Sequence, residues 1–173
     1  SAQAEETLCN KFAEQNITLY ENHYFEKETD DFDSTLRIFK NRNDVNKVCL
    51  MSGKMPDSEN EIAIDRVYAK NNNVNVGDTI SVDGEMLTVS GFVALTDYST
   101  LYKSPSDMLF DSIKFGVGIM SDDGFENTDK DIHYCYSWVY DEKPKDDKAA
   151  KDKSEDVLAL LVQNAPVTQF IPA

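Results

Sequence analysis

The dipeptide Asp83-Gly84 constrains the fold of this chain more than any other feature. It lies between two runs in which apolar and polar residues alternate, Thr79 to Val82 and Met86 to Leu95. Because Asp-Gly readily adopts the two positive φ angles of a type I′ turn, the pattern predicts a tight β-hairpin. Another short strand is predicted at Glu61 to Ile64, so the middle of the chain should be rich in β-structure.

A short helix is predicted between these strands. Asp65 is a suitable N-cap for a helix over Arg66 to Asn71, with Val67 and Tyr68 on its inner side. The asparagines that follow can adopt the left-handed conformation that ends a helix. Further back, the continuous apolar run Val48 to Met51 is typical of a buried strand.

The two ends of the chain mix helices with strands. Apolar residues at helical spacing predict a helix over Thr7 to Gln15 and a longer one over Lys145 to Asn164, each with a single apolar stripe. We therefore expect both helices to cover one sheet. Its four strands are predicted at Ile17 to Phe25, Thr35 to Lys40, Ile113 to Met120 and Ile132 to Tyr140.

These elements predict an α+β fold in a single domain spanning residues 1–173. A mixed α/β lobe would be formed by both chain ends, residues 1–49 plus 96–173. A small β-rich lobe, residues 50–95, would be inserted between them. A chain of this length can bury a substantial core, because about 70% of the surface of an unfolded chain of ~150 residues is buried on folding.

The charge of the chain excludes several functions. With 17 Lys and Arg against 32 Asp and Glu, the net charge is −15. Such a surface repels phosphate backbones and anionic lipid headgroups, so we expect neither nucleic-acid binding nor direct membrane insertion by this domain. The longest apolar run, Val157 to Val162, is far shorter than the ~20 residues of a membrane span. Ser1 is not followed by the basic and apolar regions of a signal peptide.

No residue pattern predicts a catalytic, cofactor-binding or metal site. His133-x-Cys135 offers two zinc ligands where three or four are needed. Asp31-Phe32-Asp33 and Asp122-Asp123-Gly124 lack the rest of a calcium loop. Motifs for a nucleophile or a phosphate loop are absent, so we expect no enzyme activity and no cofactor.

Two features of the sequence leave alternatives open. Ile132 to Tyr140 places aromatic side chains on one strand face, which suits a core more than a ligand platform. Cys9, Cys49 and Cys135 are too few and too scattered for a disulfide framework. Buried free thiols are favoured, but a disulfide between two of them is not excluded by the spacing.

Residues 53–93 carry a resemblance to a known family. In order, they contain G-x-x-P from Gly53, N-E-I-x-I from Asn60, V-G-D-x-I from Val76, the hairpin Gly84 and V-x-G-x-V from Val89. This ordered set resembles the MacB-like periplasmic core domain of FtsX/MacB-like ABC transporter permeases. Two flanking segments are also similar to permeases of Gram-positive bacteria: Asp107 to Asp111 and Ile113 to Val117.

The resemblance implies that residues 1–173 are a non-catalytic, extracytoplasmic domain, held outside the cell membrane by a longer membrane protein. The lobe of residues 1–49 plus 96–173 would then lie near the membrane, and the lobe of residues 50–95 would be distal. It would transmit conformational change, or engage an extracellular substrate or partner. Implied partners are a cytoplasmic ATPase subunit, acting through the full-length permease, and a second permease in a dimer. A free-standing secreted or surface binding module is the alternative, and a hydrolase is less favoured.

Overall fold

The Asp83-Gly84 turn organises the central sheet. In the computed structural model, which describes residues 2–98, 113–128 and 131–164, the turn joins strands β6 (Thr79–Val82) and β7 (Glu85–Leu95). Asp83 and Gly84 have φ angles of 51° and 80°. Both central residues are left-handed, as a type I′ turn requires, so the predicted hairpin is confirmed.

The chain contains helices and strands in the order α1, β1–β5, α2, β6–β7, β8, α3, β9, α4, and its fold is α+β as predicted. A short 3₁₀ helix, Thr96–Tyr98, follows β7. The remaining bounds are α1 Ala2–Ala13, β1 Ile17–Glu21, β2 Tyr24–Thr29, β3 Ser34–Lys40, β4 Val48–Gly53, β5 Glu61–Asp65, α2 Arg66–Asn71, β8 Phe115–Met120, α3 Asp122–Asn127, β9 Tyr136–Tyr140 and α4 Asp147–Asn164.

Among the described strands, β2 to β8 form one seven-stranded sheet in the order β4-β7-β5-β8-β3-β2-β6. Because β6 also pairs with β7, all of these strands except β4 close into a barrel. The β3–β8 and β5–β7 pairs are parallel and the other pairs are antiparallel. The barrel and the elements packed on it belong to one compact unit, residues 21–135, which we call the barrel unit.

Two glycines of β8 make room for the core of the barrel unit. A Cβ at Gly116 would lie 2.5 Å from the ring of Tyr68, and one at Gly118 would lie 2.8 Å from Ile62. Alternate glycines predict close approach of another element, and in this sheet α2 and β5 supply it. Tyr68 is fully buried, and its hydroxyl lies 2.6 Å from the Ser34 hydroxyl.

The second compact unit, which we call the terminal unit, contains residues 1–20 and 136–173. Its described part has a two-stranded sheet, β1 with β9, and the helices α1 and α4. Leu8, Phe12, Ile17 and Val157 are its buried core, and Leu160 and Leu161 pack against them. The prediction that both terminal helices cover one sheet is confirmed, but that sheet has two strands and not four.

The predicted division into lobes 1–49 plus 96–173 and 50–95 is wrong. Strands β2, β3 and β8 lie in the same sheet as the central hairpin, so they belong to the barrel unit. Local sequence patterns define strands but not which strands pair, and the parallel β3–β8 ladder joins segments that are distant in sequence. The boundaries therefore fall at 20/21 and 135/136.

Several elements differ from their predictions. The predicted strand Ile17 to Phe25 is divided at Asn22 and His23, and the strand predicted from Ile132 begins at Tyr136. Val67 is exposed, although Tyr68 beside it is buried as predicted. The segment Asp107 to Asp111 and the extended end Val167 to Ala173 lie outside the described residues.

Candidate functional site

One face of the barrel carries a cluster of charged and aromatic residues centred on Arg37. The β2–β3 register pairs Tyr24 with Phe39 and Glu26 with Arg37, so these four side chains share one face. Arg37 donates to Glu26 Oε1 from Nε at 2.9 Å and from Nη2 at 2.6 Å. Its Nη1 donates to the Tyr98 hydroxyl at 2.8 Å. We call these five residues the Arg37 cluster.

Aromatic rings surround the guanidinium of Arg37. Its Cζ atom lies 4.4 Å from the centre of the Tyr24 ring and 5.1 Å from that of Phe115, within the range of cation–π attraction. Burial opposes the charge of Arg37, but the interactions with Tyr98 and Glu26 outweigh it and raise the pKa of the guanidinium. Arg37 therefore stays charged and binds β2, β3 and the 3₁₀ helix together.

A second arginine repeats this arrangement beside the first. Arg42 Nη1 and Nη2 donate to the two carboxylate oxygens of Asp97 at 2.7 and 2.9 Å. The Arg42 side chain is only 5% exposed and lies 4.6 Å from the Phe39 ring. Within the described residues its Nε atom is buried without a hydrogen-bond partner. The pair fixes the end of β3 to the 3₁₀ helix by a bidentate ion pair.

The residues considered for a metal site do not form one. His133 stacks on Tyr24, with ring centres 4.7 Å apart. Asp31 accepts a hydrogen bond from the Ser81 N–H at 2.7 Å, and Asp33 pairs with Lys114 at 3.0 Å. Nowhere in the described ranges do three or more His, Cys, Asp or Glu side chains form a group that could hold a metal ion.

Cys135, which the sequence places beside His133 in the pattern His-x-Cys, does not have the environment of a reactive thiol. Burial raises its pKa, and the nearby Arg37 opposes this rise only in part. The thiol is therefore held in its protonated form, whereas nucleophilic chemistry needs the thiolate. Within the described ranges, no disulfide bond joins Cys9, Cys49 or Cys135.

The predicted aromatic stripe of Ile132 to Tyr140 is divided between the two units. Tyr136, Trp138 and Tyr140 pack against the core of the terminal unit. Tyr134 is 65% exposed and belongs to the barrel unit. The strand portion of the stripe therefore packs in a core, which is the arrangement that the sequence favours.

Strand β4 is an exposed edge of the sheet. The prediction of a buried strand is wrong, since β4 pairs with β7 alone in the described part of the chain and is mostly exposed. Leu50 is 41% and Met51 45% exposed. An apolar run at a sheet edge presents unpaired backbone groups together with apolar side chains, which is the arrangement that accepts another strand.

A small cavity lies at one end of the barrel, between Phe25, Ile38, Leu87 and Met120. Its volume of about 10 Å³ is close to the space of one water molecule. This cavity therefore does not suit an organic substrate, and the surfaces around Arg37 and along β4 are the candidate functional features. Sequence patterns do not reveal the Arg37 cluster, because its residues meet only through the pairing of β2 with β3 and the placement of Tyr98 beside them.

Comparisons with known proteins identify no family. No protein-family model and no curated protein matches the chain. A solved structure from Bacillus anthracis, of a protein proposed to be a lipoprotein, is similar over 90% of this chain and 87% of that chain. Its TM-score is 0.40 and its sequence identity is 9%. Within residues 2–98, 113–128 and 131–164, no helix is both long and apolar enough for a membrane span.

Proposed function

We propose that this chain is the extracellular domain of an FtsX/MacB-like ABC transporter permease. The motif residues that carry the resemblance support this proposal, because they determine backbone geometry within the barrel unit. Gly53, Gly77 and Gly84 all have positive φ angles. Asp78 accepts a hydrogen bond from the Asn75 N–H at 2.7 Å and so closes the turn before β6. The motif thus specifies an architecture and not a catalytic centre.

The proposed mechanism is the transmission of motion through the domain. The observation that carries it is the insertion of the barrel unit into the terminal unit, since the chain passes between them at 20/21 and again at 135/136. Both terminal segments belong to the terminal unit. In a full-length permease, membrane helices flanking those segments would move the terminal unit as the cytoplasmic ATPase subunit completes its cycle.

The full-length gene provides the first test of this proposal. We expect it to encode hydrophobic helices outside residues 1–173, beside a gene for an ATPase, and the two proteins to copurify from detergent-solubilised membranes. Deleting residues 21–135, with a short linker closing the gap, should leave copurification intact and abolish transport-coupled function. A gene that encodes a secreted protein without membrane helices would overturn the proposal.

The exposed β4 strand favours a second candidate, a free-standing secreted or surface module that binds an extended partner segment. The double variant Leu50→Lys/Met51→Lys should abolish such binding without unfolding the barrel, because both side chains are exposed. Met86→Lys is a matched control, since Met86 is 61% exposed and lies on β7 outside the edge strand. A hydrolase is less favoured, because burial keeps the Cys135 thiol protonated.

A further inference from the structure

Two sulfur atoms are in contact on the exposed edge strand β4. The thiol of Cys49 donates a hydrogen bond to the thioether of Met51, with 3.8 Å between Sγ and Sδ. Both side chains are exposed, that of Met51 by 45%. The two atoms therefore form a pair that a dissolved ion can reach, and we call it the sulfur pair.

A β-bulge sets the position of Met51. The β4–β7 register pairs Leu50 with Val93 and Ser52 with Phe92, so Met51 is an extra residue on β4. A bulge changes the direction of a side chain, and bulges are frequent at sheet edges and beside functional sites. The direction of the Met51 side chain therefore depends on the backbone of the edge strand.

The separation of the two sulfur atoms suits a metal ion that is bound by both. Two metal–sulfur bonds of about 2.3 Å, meeting at an angle of about 110°, span the observed 3.8 Å. In the hydrogen bond, the proton of the Cys49 thiol lies between the two sulfur atoms, where such an ion would be bound. An ion can therefore replace this proton without a change in the backbone.

We propose that the sulfur pair is a bidentate site for a soft monovalent cation such as Cu(I) or Ag(I). Thiolate and thioether ligands select Cu(I), whereas Ca²⁺ and Mg²⁺ prefer oxygen ligands and structural Zn²⁺ takes four ligands. The net charge of −15 also attracts cations to the surface of the chain. This inference does not rest on either proposed function, because it depends only on the two side chains and the strand that carries them.

Binding exchanges one bond for another without oxidation or reduction. The S–H bond of Cys49 breaks, its proton passes to water, and the electron pair of the thiolate forms a bond with the cation. The Met51 thioether donates a lone pair to the same ion. Water completes the coordination, because the sulfur pair lies at the surface.

Titration of the whole chain with Ag(I) in chloride-free buffer tests the site, with the methionine methyl groups labelled with carbon-13. The Met51 methyl resonance should shift, since its carbon is bonded to the ligating sulfur. Met86, which is 61% exposed on β7, and Met120, which is buried, are internal controls and should not shift. An unmoved Met51 resonance, or an equal shift of Met86, would overturn the proposal. Zn(II) should leave Met51 unmoved, and a response equal to that of Ag(I) would overturn the assignment to a soft monovalent ion.

Two substitutions at exposed positions show whether both sulfur atoms bind the same ion. In Cys49→Ser the Met51 methyl should no longer shift, and a shift with the wild-type midpoint would refute joint binding. In Met51→Leu the affinity for Ag(I), read from the Cys49 amide resonance against a competing chelator, should fall at least about tenfold, since loss of a residue that only orients a metal ligand commonly costs this much. Met86→Leu is the matched control and should retain the wild-type affinity. Equal affinities of the two methionine variants would refute a role for the Met51 thioether.

Discussion

At the scale of single residues, Gly53 and Gly91 allow the antiparallel strands β4 and β7 to approach closely where these two residues pair. A Cβ at Gly53 would lie 2.3 Å from the Ser90 carbonyl oxygen, and one at Gly91 would lie 2.5 Å from that of Lys54. Both neighbours are backbone atoms, which cannot move aside as a flexible side chain can. The two glycines of the sequence motif therefore have a common steric reason, although they are distant in the chain.

Alanine substitutions should separate backbone conformation from crowding. Gly84 has a φ of 80° with open space around its Cβ position, so Gly84→Ala should destabilise by about 1–2 kcal/mol. Gly53 has a φ of 75° and the close Ser90 oxygen, so Gly53→Ala should lose about a further 1–3 kcal/mol. Urea unfolding measures both losses, and equal losses would contradict the importance of the close approach at Gly53.

Asp65 gives a prediction with a defined pH dependence. Its carboxylate accepts from the Val67 and Tyr68 N–H groups at 2.7 and 3.0 Å, but burial dominates and raises its pKa. The native state therefore binds the proton of Asp65 more tightly than the unfolded state does. The stability that Asp65 contributes falls as pH rises from the pKa of the unfolded state to the raised pKa of the native state. Asp65→Asn removes the charge and keeps a capping oxygen.

The free energy of unfolding of Asp65→Asn, relative to the wild type, should therefore increase as pH rises from about 4 and then level off above the raised pKa. Denaturant titrations at several pH values measure this difference. Asp65→Ala is the control, since it removes the cap as well and should be less stable than Asp65→Asn by about 1 kcal/mol. A difference that decreases with rising pH would mean that hydrogen bonding, and not burial, dominates at Asp65.

At the scale of elements, the sequence predicts those whose signals are local. The β6–β7 hairpin follows from Asp83-Gly84, and helix α2 follows from the cap at Asp65. The apolar run of strand β4 predicts its position but not its exposure, because burial depends on which strands lie beside it. The Arg37 cluster escapes prediction for the same reason, since the β2–β3 register brings four of its residues together and the 3₁₀ helix supplies Tyr98.

The sequence likewise predicts only part of what the structure shows for α4. Its acidic and basic first half is mostly exposed, while Ser154 and Val157 are buried. A helical stripe is a local signal, so docking of the second half could be predicted. The sheet against which this half packs could not be predicted, because its strands β1 and β9 are far apart in the sequence.

At the scale of the whole molecule, each unit has a core of its own, and this predicts two unfolding events. Phe12 is fully buried in the small core of the terminal unit. Phe12→Ala should destabilise that unit by about 3–5 kcal/mol. Hydrogen exchange in α1 and β9 should then approach the unprotected rate, while β8 of the barrel unit keeps its protection. Equal loss of protection in both units would show a single cooperative transition instead.

The parallel pairing of β3 with β8 also sets the order in which the chain can fold. Thr35 pairs with Phe115, so this ladder cannot begin until nearly the whole barrel has been synthesised. The β6–β7 hairpin, in contrast, needs only neighbouring residues and can form within about 1–10 μs. A chain with such long-range contacts is expected to fold slowly. The apolar face of β3 would stay uncovered until β8 pairs with it. During synthesis, that uncovered strand is therefore prone to aggregation.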